Sequence, residues 1–116
     1  MPEAYDAVQK FFEDALAKRI ASNPARAQKI GGVYEFVMDG QAERTWHLDM
    51  TVPVVRQGPA PKMGVRIRMK SEDFIEVAEG RLNEMQAFTG GKIKIEGNLM
   101  MAMKLRDVLR PQGWGP

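Results

Sequence analysis

The sequence predicts an α+β domain, a mostly antiparallel sheet with helices packed on one face. Three observations lead there. A helical stripe opens the chain, with apolar residues at Val8, Phe11, Phe12, Ala15, Leu16 and Ile20 in i, i+3, i+4, i+7 spacing. Two alternating runs around a glycine turn follow and read as an antiparallel hairpin. The chain then closes on a helix, Leu99 to Arg110, that is apolar almost all round. At 116 residues and 44% hydrophobic content, one domain (residues 1–110) with a short tail (111–116) can bury a core and a modest cavity.

Each element has its own local reason. The first helix, Glu3 to Ala21, stops at Asn23-Pro24; Asn23 then caps a second short helix with Pro24 at its first position. Ile30-Gly31-Gly32 ends that helix. Val33 to Asp39 reads as a strand with Tyr34, Phe36 and Met38 on one face, and Asp39-Gly40 turns the chain. Arg44 to Thr51 alternates, with Trp46, Leu48 and Met50 opposite Thr45, His47 and Asp49. Pro53 to Pro61 is a loop or irregular edge. Gly64 to Lys70 alternates again, Val65, Ile67 and Met69 inward. Ser71 caps a helix with Glu72 and Asp73 in its first turn, where the helix dipole favours anions. That helix ends at Gly80, and a short helix precedes Gly90-Gly91. Lys92 to Glu96 is the last strand, with Ile93 and Ile95 inward. Asn98 caps the final helix, which Pro111 and Gly113 end.

Several function classes find no support. The chain has no Cys, so it carries no disulfide, thiolate nucleophile or Cys metal site. Its 17 basic and 15 acidic residues lack the concentrated charge of a nucleic-acid binder. Charged residues spread through the first helix speak against a signal peptide or membrane span, and Trp114-Gly115-Pro116 is no peroxisomal address. The cytoplasm is the expected compartment. His47, the single histidine, falls on the strand face away from Trp46 and Leu48 and has no partner motif for nucleophilic catalysis or metal ligation. The two Gly-Gly pairs lack the spacing of phosphate loops and read as turns. No cofactor, no metal and no catalysis are expected.

The methionines carry more. There are nine, three of them at Met100, Met101 and Met103. Met fills irregular cores, and its flexible thioether also suits promiscuous apolar surfaces. On the final helix, Met101, Ala102, Leu105, Val108 and Leu109 form one stripe expected to lie on the sheet. Leu99, Met100 and Met103 form a second patch that a one-sided core does not need; it should line a cavity mouth or a partner surface. Arg66, Arg68, Lys70, Lys92 and Lys94 alternate opposite the apolar sheet face. They read first as a solvated face and second as a patch attracted to anionic lipid.

Three segments are similar to a known family: Lys29-Ile30-Gly31-Gly32-Val33-Tyr34, then Ala42-Glu43-Arg44-Thr45-Trp46-His47-Leu48-Asp49, and then Gly90-Gly91-Lys92-Ile93-Lys94-Ile95-Glu96-Gly97-Asn98 followed by Ala102-Met103-Lys104-Leu105. Over roughly residues 29–110 the chain resembles a sterol carrier protein 2 (nonspecific lipid-transfer) domain. The resemblance implies a five-stranded sheet covered on one face by helices, with a hydrophobic tunnel that binds fatty acids, acyl-CoA, sterols or phospholipids without catalysis. Where that family carries Pro-Gln ahead of an Ala-Phe pair, this chain has Glu84-Met85, which removes a polar tunnel contact. Phe36, Trp46, Leu48, Met50, Met85, Phe88, Leu99, Met100 and Met103 are the residues expected to meet the apolar ligand. The expected partners are that lipid and, transiently, an anionic membrane surface. A second reading is an accessory protein presenting a lipid-soluble intermediate to a biosynthetic enzyme complex.

Overall fold

Phe12 is where the architecture closes. Its ring stacks on Trp46 at 5.1 Å and on Phe74 at 4.9 Å, and it meets Phe36 at 5.2 Å. These contacts join the first helix, two strands and the helix that carries Phe74 in the computed structural model, which describes residues 7–41, 44–110 and 114. Glu3, Ala42, Glu43, Pro111 and Gly113, named in the sequence reading, lie outside the described residues.

The first helix, α1, is helical over residues 7–22, and one turn, Phe11–Leu16, widens to π-helical geometry. Such bulges reorient successive side chains. Here Phe11 meets Phe74 edge-on at 5.5 Å, Phe12 enters the core, and Glu13 Oε2 accepts the indole N–H of Trp46 at 3.1 Å. An unbroken 3.6-residue repeat would spread three consecutive residues over about 200°. The helix α2, Pro24–Ile30, is capped by Asn23, whose side chain accepts from Arg26 N, and it ends at Gly31 with φ +71°.

Five strands follow: β1 Val33–Met38, β2 Thr45–Asp49, β3 Val54–Gln57, β4 Val65–Met69 and β5 Lys94–Gly97. Their order across the sheet is β3-β2-β1-β4-β5. Three pairings are antiparallel, and β1 runs parallel to β4 with Phe36 beside Ile67. The hairpin forms as expected, with Phe36 opposite Trp46. The proline-rich stretch supplies edge strand β3, between Pro53 and Gly58, where a missing N–H is harmless. Tyr34, Phe36, Met38, Trp46, Leu48, Val65, Ile67 and Met69 form the buried inner face.

The opposite face is less open than its sequence suggests. Glu35, Thr45 and His47 are buried there beneath the 58–60 segment, whose Ala60 N donates to Glu35 Oε1 at 2.9 Å and whose Gly58 oxygen lies 2.9 Å from His47 Nδ1. Arg66 Nε pairs with Glu35 at 2.6 Å and Arg68 Nε with Glu96 at 2.5 Å. The expected basic stripe is therefore partly neutralised on its own face.

Helix α3, Ser71–Ala78, is held at its start by a residue distant in sequence. Ser71 does not cap it; the Asp39 carboxylate at the end of β1 accepts from Ser71 N at 3.0 Å and from Ser71 Oγ at 2.6 Å. Arg44 completes the cluster at 2.9 Å from Asp39. Burial pushes the Asp39 carboxyl up, but the Ser71 and Arg44 hydrogen bonds outweigh it and hold the group below the ordinary carboxylate range. Trp114 is also seated: it is buried, donates from Nε1 to Asp107 O at 2.8 Å, and lies under the Arg26 guanidinium at 5.1 Å.

Two predictions follow from these restraints. An ionised group with a lowered folded pKa stabilises above its unfolded value and loses that contribution as pH falls. Asp39→Asn should therefore lower the urea midpoint at pH 7, and the gap from wild type should close as pH drops below about 4. A gap that is constant from pH 7 to pH 3 refutes the carboxylate's role. Gly97 sits at φ +102°, and a Cβ there would lie 2.5 Å from the Gly64 carbonyl oxygen. Gly97→Ala should cost on the order of 1–3 kcal/mol in denaturant melts.

Candidate functional site

A further apolar space lies beside β5, where Ile93, Ala102 and Leu105 of the core cluster form part of its wall. Helix α4, Glu84–Thr89, starts at Asn83, whose side-chain oxygen accepts from Met85 N at 2.9 Å and Gln86 N at 3.1 Å. At its far end Ala87 O accepts from Lys92 N at 2.8 Å and Ile93 N at 3.2 Å, turning the chain back toward β5. The helix after β5 is not the single element expected from Leu99 to Arg110. It breaks into α5, Leu99–Ala102, and α6, Leu105–Leu109. At the break Lys104 N bonds to Met101 O at 3.0 Å, an i→i−3 closure, and Lys104 takes φ −89° and ψ 2°. Tight 3₁₀-type closure changes the helix direction.

Between these pieces lies a cavity of about 90 Å³ lined by Glu84, Met85, Phe88, Ile93, Ile95, Leu99, Ala102, Met103 and Leu105. Eight of these nine side chains are apolar. Glu84, the exception, is paired by Arg110 Nη2 at 3.1 Å. The rim is exposed: Met85 by 56%, Leu99 by 54% and Met103 by 62%.

One anchor fixes the α5 wall. Met101 folds its thioether over two glycines, so that a Cβ on Gly64 would lie 2.4 Å from Met101 Sδ. Tyr34 Oη donates to Met101 O at 3.0 Å, and burial, with Asp107 adding, pushes the Tyr34 phenol up to about 12. Arg19 Nη1 donates to Leu109 O at 2.9 Å, which holds the end of α6 against α1. Burial lowers the pKa of that guanidinium.

The structure divides the nine expected ligand residues. Met85, Phe88, Leu99 and Met103 meet at the cavity. Met100 is exposed but is not on the wall. Phe36, Trp46, Leu48 and Met50 are fully buried in the closed core and do not reach the cavity. Over Phe36 and Trp46 the space above the sheet is filled by the Phe12 ring. Ile93, Ile95, Ala102 and Leu105 complete the wall and were missed as such, because their alternation and stripe positions looked like plain core. Leu105 is both buried and cavity-lining. Glu84 had a signal in its departure from the Pro-Gln pattern. His47 lies on the far face of the sheet. Among the described residues no group of three His, Cys, Asp or Glu could hold a metal, and no helix is long and apolar enough to cross a membrane.

Comparison with known proteins agrees with this arrangement. Residues 12–110 match the model of the SCP-2 sterol transfer family. Non-specific lipid-transfer protein-like 1 of Caenorhabditis elegans is 33% identical over 105 residues, covering 87% of this chain and 88% of its own. Hydroxysteroid dehydrogenase-like protein 2 of Xenopus laevis is 33% identical over 90 residues, but the chain spans only 22% of its length. Palmitated SCP2L2 from Aedes aegypti superposes with a TM-score of 0.68 at 23% identity, over 86% of this chain and 92% of that one.

Substituting glutamate on the two sides of the final segment separates rim from wall. Met103→Glu should change stability by no more than about 0.5 kcal/mol, as at other exposed positions. Leu105→Glu buries a carboxylate without a partner and should cost several kcal/mol. Thermal melts that fall equally for both refute the division.

Proposed function

This chain belongs to the SCP-2 sterol transfer family, and on that premise we propose that it is a lipid carrier that holds the apolar part of a fatty acid, acyl-CoA, sterol or phospholipid in the cavity between α4, β5, α5 and α6, without covalent chemistry. The observation that carries the reading is an almost wholly apolar wall with an exposed rim of Met85, Phe88, Leu99 and Met103. Exposed clusters of this kind leave apolar area in water that a ligand can cover. Each CH₂ so buried contributes about 0.8 kcal/mol. The palmitated Aedes aegypti protein shares the fold, so the same architecture accommodates a fatty acid there.

At about 90 Å³ the resting cavity is smaller than the roughly 150 Å³ apolar cavity that takes up benzene. A long chain must therefore part the walls. Helix α4 is the wall built to yield, because Ala87 is its one buried side chain. The methionines around the mouth can repack around ligands of different shape, so selectivity for the apolar portion is loose. Lys70, Lys92 and Lys94 border an open groove next to the Gly90-Gly91 turn; they supply weak, salt-sensitive attraction to an anionic membrane during loading.

The test is titration of the purified protein with a fluorescent C16 fatty acid and, separately, with a fluorescent sterol. Saturable binding of at least one probe is expected, and the lipid should be recovered chemically unchanged after incubation. A folded protein that saturates with neither refutes the carrier reading.

A further inference from the structure

Resting on the reading that this cavity takes a lipid, we propose that Arg110 selects the ligand's head group, and that the favoured ligand is a free fatty acid whose carboxylate replaces Glu84 on the Arg110 guanidinium. The cavity wall offers one charged side chain, Glu84, and that charge is already engaged by Arg110 Nη2 at 3.1 Å. The pair is largely shielded from water, with Glu84 12% and Arg110 19% exposed. It is also incomplete: Arg110 Nε is buried and has no hydrogen-bond partner among the described residues.

A guanidinium presents parallel N–H groups that match both oxygens of one carboxylate. Glu84, fixed to the first turn of α4, satisfies one side-chain N–H direction and leaves Nε unused. A carboxylate on a mobile acyl chain has no such tether and can engage Nε and Nη2 together.

Exchange of carboxylates also addresses the size of the cavity. Of the side chains on α4, only Ala87 is buried, and the Glu84–Arg110 bond ties the helix to the end of α6. A ligand that displaces Glu84 loosens this tie as it enters, so head-group recognition and widening of the cavity are one event. A neutral lipid enters without taking over the Arg110 bond and must widen the cavity by apolar contacts alone. Arg110 acts by binding and positioning; no bond is made or broken in the ligand.

The experiment compares palmitate with 1-hexadecanol, matched in chain length and different in head charge, as competitors of a bound fluorescent lipid at pH 8. Wild type should prefer palmitate by about tenfold, the scale of one charge-assisted hydrogen bond. In Arg110→Gln that ratio should fall to near one while hexadecanol affinity stays within about twofold. Glu84→Gln removes the competing carboxylate and should raise the ratio above wild type. An unchanged ratio in Arg110→Gln overturns the proposal. If circular dichroism finds Arg110→Gln unfolded, Glu84→Gln decides: an unchanged or lower ratio overturns it. Wild type binding both lipids equally overturns the head-group proposal and leaves the carrier reading standing, whereas binding neither overturns both.

Discussion

The Phe12 ring, stacked between Trp46 and Phe74, is the contact on which the remaining arrangement depends. It occupies the space above the centre of the sheet, and the π-helical turn of α1 makes that possible by letting Phe11, Phe12 and Glu13 all reach inward partners. Aromatic stacking of this kind adds about 0.5–1.5 kcal/mol per pair to ordinary burial. Its larger consequence is spatial. Phe36, Trp46, Leu48 and Met50 are fully buried, and among the described residues the apolar cavity lies instead against Ile93 and Ile95 at β5.

That cavity combines one firm wall and one compliant wall. Met101, nested against Gly32 and Gly64 and bonded through its carbonyl to Tyr34, ties α5 to the starts of β1 and β4. Gly32 takes φ +83°, which favours glycine, and a methyl group on either glycine would displace the Met101 thioether. Opposite it, α4 is a helix of six residues with a single buried side chain. Short helices of this kind draw little stability from packing and open first.

Charge is distributed to keep the apolar regions apart from solvent-facing work. Arg66 and Arg68 pair with Glu35 and Glu96 across the outer face, and Glu35 and His47 bond the 58–60 segment to the sheet. Asp39 links the end of β1 to the start of α3 and so fixes the helix that carries Phe74. At the cavity a single carboxylate, Glu84, meets a single guanidinium, Arg110. In low-dielectric surroundings such a pair is costly to break without a substitute partner, which makes it sensitive to the charge of what enters.

The sequence determined the elements through local rules: the periodic stripe of α1, the Asn23 and Asn98 caps, the hairpin of β1 with β2, and the split of the last segment into buried Ala102, Leu105, Val108 and Leu109 against exposed Leu99, Met100 and Met103. The short motif from Gly90 to Asn98 also pointed to the family. Tertiary structure alone decided which apolar residues face a ligand-sized space. Alternation marks Trp46 and Ile95 equally as inward, but whether inward means closed core or cavity wall depends on what packs above each residue, and Phe12 lies 34 positions from Trp46 in the chain. The same holds for Glu84 with Arg110 and Asp39 with Ser71. Their pairing comes from the register of distant elements, and no local spacing encodes it.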